Sequence, residues 1–149
     1  MYNGQHHPAG PRDDLSAPAV LERAAALIET RGLACGEFST PGGGVLSSGC
    51  PLCTAAAICV AAGLPPNWFA ISRNLACPPE LALRAEAARN AVLALAERVG
   101  IPRFERADTP GVTGDLPLGQ VYSWSDSREG RGAGAVAALR AAAWTAAAA

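Results

Sequence analysis

Apolar side chains recur at helical spacing in several stretches of this chain, and runs rich in glycine and proline separate those stretches. Ser16 stands where an N-cap is needed, and Pro18 is tolerated in the first turn that follows. From there Val20, Leu21, Ala24, Leu27 and Ile28 fall on one face, with Glu22, Arg23 and Glu29 on the other. That spacing predicts an amphipathic helix to about Arg31, ended by Gly32 with Leu33 as its apolar contact. A second helix is predicted from the Cys50-Pro51-Leu52-Cys53 start to Gly63, stopped by Pro65-Pro66. Its residues Thr54 to Ala62 are apolar all round, the signature of a helix buried on every side. Residues 67–75 predict a short helix carrying Trp68 and Phe69.

After Pro78-Pro79 the periodicity is clearest. Leu81, Ala85, Ala88, Val92, Leu95 and Val99 repeat at steps of four and three, which predicts a helix from Glu80 to Val99. Gly100-Ile101-Pro102 supplies its stop. Residues 103–119 are interrupted by proline and glycine and read as irregular. Val121 to Trp124 fits either a short strand or one helical turn. A last helix is predicted from Ala133 to about Trp144, with Val136, Leu139, Arg140 and Ala143 defining its faces. The segment 34–49, with Gly42-Gly43-Gly44, reads as a loop, and residues 1–15 as a flexible N-terminal arm.

Composition narrows the fold. In 149 residues there is room for one domain, here residues 16–149, and a chain of this size buries roughly 68–70% of its unfolded surface without a disulfide or metal staple. Half the residues are hydrophobic but only 5% are aromatic. Alanine carries the difference; it favours helix and adds little volume, so the helices are expected to approach closely around a thin core. The reading is all-α: a compact bundle of four to five helices, with the alanine-rich second helix buried.

Charge and hydropathy bear on partners and location. A net charge of −1 and arginines spread from Arg12 to Arg140 without a run are unlike the basic stripe of a nucleic-acid platform. No stretch nears the ~20 apolar residues of a membrane span, and the N-terminus has no apolar signal core. The expectation is a cytoplasmic protein without nucleic-acid or membrane partners. Five cysteines, an odd number, then read mostly as thiols.

Candidate chemistry is confined to two segments. Cys50 and Cys53 sit three apart at a helix start, where the dipole and free N–H groups stabilise a thiolate and a small disulfide ring can close. A thioredoxin-like site would need a preceding strand, and Val45-Leu46 is too short for one. The same residues also fit structural thiols, with Pro51 as the favoured first helical residue. Zinc is possible but not indicated: a structural site needs four ligands, and Cys35, Cys59 and Cys77 are singletons. The second segment is Ser123 to Glu129, where Trp124 offers a stacking surface and Asp126 a cap or ligand carboxylate, with Glu37 as a further acid. The only histidines, His6 and His7, lie in the arm, so a His-dependent catalytic set would need that arm folded back. Gly42-Gly43-Gly44 lacks the residues of a phosphate loop.

One arrangement of short motifs resembles a known family. Leu21-x-x-Ala24 with Ile28 and Gly32, then Gly36, then Cys53 opening an alanine-rich helix, precede Trp124-Ser125-Asp126 and Val136-x-x-Leu139-Arg140-x-Ala142-Ala143. This order is similar to that of a small actinobacterial and phage family, domain of unknown function 6197. The family pattern has Trp-Asn-Asp in place of Trp124-Ser125-Asp126 and a single cysteine, matching Cys53. The resemblance implies a compact helical fold and no established activity.

Three functions stay open at this point: a non-catalytic interaction or regulatory module with a protein partner or a second copy; thiol redox or zinc chemistry at Cys50 and Cys53; and a small enzyme or ligand binder with a pocket near Trp124, Asp126 and Glu37. Whether the chain is an enzyme is left open.

Overall fold

In a computed structural model, the residues described are 14–32, 52–71, 77–101, 117–127, 131 and 133–148. They form six helices: α1 (Ala17–Arg31), α2 (Thr54–Ala61), α3 (Trp68–Ile71), α4 (Ala82–Arg98), α5 (Leu118–Asp126) and α6 (Ala133–Ala148), with a single 3₁₀ turn, Pro79–Leu81, leading into α4. There is no strand among the described residues. The protein is all-α, as the periodicity predicts.

Local chemistry sets the helix ends. The Ser16 hydroxyl accepts the Ala19 N–H at 3.4 Å, satisfying one donor that the first turn of α1 leaves without an intrahelical partner. At the other end the chain turns through Gly32, whose φ is 87°. The Gly32 carbonyl accepts the Leu52 N–H at 3.1 Å, tying the end of α1 to the approach to α2. α2 and α4 end alike. Leu64 N–H donates to the Cys59 carbonyl at 2.9 Å and Gly63 N–H to that of Val60 at 2.9 Å. Ile101 N–H donates to Ala96 at 2.8 Å and Gly100 N–H to Glu97 at 3.2 Å. This paired pattern needs a left-handed residue, and φ is 85° at Gly63 and 83° at Gly100.

α1 packs most extensively on α6 and next on α2; α4 lies against α6, α1 and α2. α2 is therefore enclosed, and every residue from Thr54 to Cys59 is buried. Among the described residues, half of the buried apolar side chains are alanines. The large ones that close the core are Leu21, Leu52, Ile58, Leu95 and Leu139. Small side chains let the helix axes approach, so dispersion contacts replace bulk.

Four details differ from the sequence reading. α2 begins at Thr54 with Cys53 as its N-cap, so Pro51 precedes the helix instead of opening it. Val121 to Trp124, read as a strand or single turn, belongs to the nine-residue α5. The buried stripe of α4 is Ala87, Ala88, Ala91, Val92, Leu95 and Ala96, wider than the predicted seam because neighbouring alanines turn inward as readily as leucine. α6 continues to Ala148. The predicted third helix is present as Trp68–Ile71, and its continuation to residue 75 lies outside the described residues, as does nearly all of the N-terminal arm.

Candidate functional site

Both ends of the buried helix α2 gather polar groups that the core would otherwise exclude. At its N-terminal end Cys53, only 4% exposed, turns its sulfur to accept the Ala56 N–H at 3.4 Å. A thiol does here what a serine or threonine hydroxyl does at most helix starts. The next residue, Thr54, is fully buried, and its hydroxyl lies 3.1 Å from the hydroxyl of Ser125 on α5, itself 2% exposed. A buried hydroxyl without a partner costs more than the bond gains. The two residues thus satisfy each other across the α2–α5 contact.

The C-terminal end of α2 receives two guanidinium groups from different helices. Arg23 of α1 donates from Nε to the Ala61 carbonyl at 3.0 Å and from Nη2 to the Asp14 carbonyl at 2.7 Å. Arg84 of α4 donates from Nη1 to the Ala62 carbonyl at 3.2 Å. Cations belong at a helix C-terminus, where unpaired carbonyls concentrate negative charge.

The residues singled out from sequence are distributed as follows. Trp124 is half-buried against the core on α5, and Asp126 is the last residue of the same helix. Glu37 lies outside the described residues. Cys50 and Cys35 also lie outside them, as do His6, His7 and Gly42-Gly43-Gly44. Cys59 is buried within α2. Burial pushes its thiol far above the ordinary range, against the smaller opposing effect of hydrogen bonding from the Phe69 and Trp68 backbone. Cys77 is exposed, and its thiol donates to the Pro78 carbonyl at 3.5 Å. Among the described residues no three His, Cys, Asp or Glu side chains cluster as metal ligands would.

Sequence reasoning passed over Ser125 in favour of its neighbours Trp124 and Asp126. A signal was available. Val121 and Ser125 stand four apart, so once the segment is a helix they share a face, and both are buried.

The outer surface has two further features. Arg140 of α6 donates to both carboxylate oxygens of Glu29 on α1, at 2.8 and 2.7 Å, and its Nε lies 3.5 Å from Glu22. Trp144 of α6 and Leu83 of α4 are 79% and 71% exposed, while the remaining large apolar side chains of the described residues are at least partly covered. No described helix is long and apolar enough to cross a membrane.

A family described as "Family of unknown function (DUF6197)" matches residues 12–145. No curated protein and no solved structure matches the chain.

Proposed function

Taking as premise that the chain belongs to this family of unknown function (DUF6197), we propose that it is a non-catalytic interaction or regulatory module that self-associates through the outward face of α6. The observation that carries this reading is Trp144, a large aromatic left 79% exposed. It sits on a helix whose outward positions Ala137, Thr145 and Ala148 are uncharged and exposed. Aromatic side chains anchor interfaces, and small neighbours give a second helix room to seat one. Arg140, the only charged residue of α6, is engaged by Glu29 and Glu22. A face of small residues around one indole, with its arginine already paired to carboxylates of α1, favours a second copy over a charged partner.

Size-exclusion chromatography with light scattering across a concentration series tests this. The wild-type chain is expected to show a dimer that Trp144→Ala returns to monomer, with unchanged helicity by circular dichroism. A wild-type chain that stays monomeric at high micromolar concentration overturns it.

A second reading is thiol chemistry at Cys53 together with Cys50, as a redox pair or part of a zinc site. One observation favours it: the Cys53 sulfur already accepts an N–H at the positive end of α2, where a thiolate is stabilised. Alkylation mass spectrometry before and after reduction, with metal analysis of the purified chain, separates the two forms. Metal-free protein whose Cys50 and Cys53 never pair sinks this reading.

A further inference from the structure

The exposed positions of α6 are ordered. Ala133, Ala137, Arg140, Trp144 and Ala147 are all exposed, and they follow one another at steps of four, three, four and three. That spacing is the seam along which one helix seats a second. The stripe that serves the core lies on the other side, where Ala135, Leu139, Ala142 and Ala143 are buried and α6 packs on α1 and α4. One stripe is filled by the fold, and the other is turned outward.

The outward stripe is uneven along its length. Its first half offers only the methyl groups of Ala133 and Ala137, whereas its second half carries the exposed indole of Trp144. Arg140 lies between them, and its guanidinium is drawn onto α1 by Glu29, at 2.8 and 2.7 Å, and by Glu22, at 3.5 Å. The charge at mid-stripe is thereby met within the chain. The first turn of α6 has no acidic side chain and its last turn no basic one, so no charged side chain of those turns offsets the helix dipole.

This inference rests on the self-association through α6 proposed above. We infer that the partner segment is α6 of the second copy, laid antiparallel, with each Trp144 seated over Ala133 and Ala137 of the other copy. Antiparallel pairing sets large against small twice, once on each side of a two-fold axis near Arg140, which is the reciprocal contact of a symmetric dimer. Parallel pairing sets indole against indole at one end and methyl against methyl at the other. The helices then splay, and the small residues lose their contacts across the gap. The dipoles act in the same direction. Antiparallel helices bring the positive end of each beside the negative end of the other, and parallel ones place like ends together. Size and charge favour one orientation.

Paired cysteine variants read that orientation. Ala133→Cys and Ala147→Cys replace exposed methyl groups near the two ends of the stripe and leave Trp144 in place. The two full-length variants are mixed and treated with a short bismaleimide. Peptide mass spectrometry then locates each link and sets aside products of the exposed Cys77. In an antiparallel pair, position 133 of one copy lies beside 147 of the other, while the two 147 positions are about 20 Å apart. The expected result is a 133–147 link between chains, with same-site links about tenfold weaker. Adding Trp144→Ala to both variants should reduce the 133–147 link about tenfold, as loss of an anchoring aromatic does.

Links of 133 to 133 and of 147 to 147 in its place overturn the antiparallel arrangement and leave self-association through α6 standing. A dimer by light scattering with no link on α6 overturns both the arrangement and the α6 face. A monomer without links overturns the self-association reading and this inference with it. A 133–147 link undiminished by Trp144→Ala overturns the seating of the indole.

Discussion

Gly63 and Gly100 end α2 and α4 through the same left-handed turn, but in different surroundings. A methyl group at Gly100 would meet nothing within 4 Å, whereas one at Gly63 would run into the Arg84 guanidinium. Gly100→Ala therefore carries only the strain of a side chain at positive φ, about 1 kcal/mol. Gly63→Ala adds the displacement of Arg84 from the Ala62 carbonyl, and about a further 1 kcal/mol is expected. Urea denaturation of the two variants measures the difference; equal losses would show that Arg84 gives way freely. The cysteines offer a second test at this scale. Burial holds the Cys59 thiol protonated, and Cys77 is exposed. At pH 8 a maleimide or iodoacetamide reagent should modify Cys77 within minutes and reach Cys59 only on unfolding. Modification of Cys59 at a comparable rate in the native state would contradict its enclosure.

At the scale of elements, the α1–α6 pairing carries a polar clamp in which Arg140 meets two carboxylates. Arg140 holds the Glu29 carboxyl below the usual glutamate range, by hydrogen bonding first and by charge second. A depressed carboxyl pKa means stability present above the unfolded value and lost as pH falls through the folded one. Glu29→Gln should accordingly melt at a lower temperature than wild type at pH 7, and the gap should close below about pH 4 and also in high salt. A gap that persists at pH 3 would assign the effect to packing. The same scale shows where sequence was legible. Large apolar residues marked α1 correctly, because Val20, Leu21 and Ile28 leave no choice of face. α4 was legible in extent but not in face: Ala87, Ala91 and Ala96 are apolar enough to bury and small enough to expose, so periodicity does not decide between them. α5 was legible only as a short strand or one helical turn, because a buried serine interrupts its apolar spacing.

For the molecule as a whole, a core in which alanines are half of the described buried apolar side chains has little room for error in the direction of size. Ala88→Leu, at a fully buried position of α4, should cost about 1–3 kcal/mol by forcing α4 from its neighbours. Thermal unfolding measures it, and a neutral result would reveal unfilled space. The candidate site was half legible on this scale. Cys53 announces itself by its place before an apolar run. Its neighbour Thr54 finds Ser125 at a separation of 71 residues, which no local pattern encodes. The pairing of α1 with α6 has another outcome, concerning the order in which the chain is made. Ribosomal synthesis delivers α1 long before the helix that packs most extensively on it. Until α6 clears the exit tunnel, α1 has only α2 and α4 to pack on, and contacts as distant in sequence as those of α1 with α6 form slowly. The nascent chain must be kept from its neighbours until α6 is out, the condition under which chaperones are engaged.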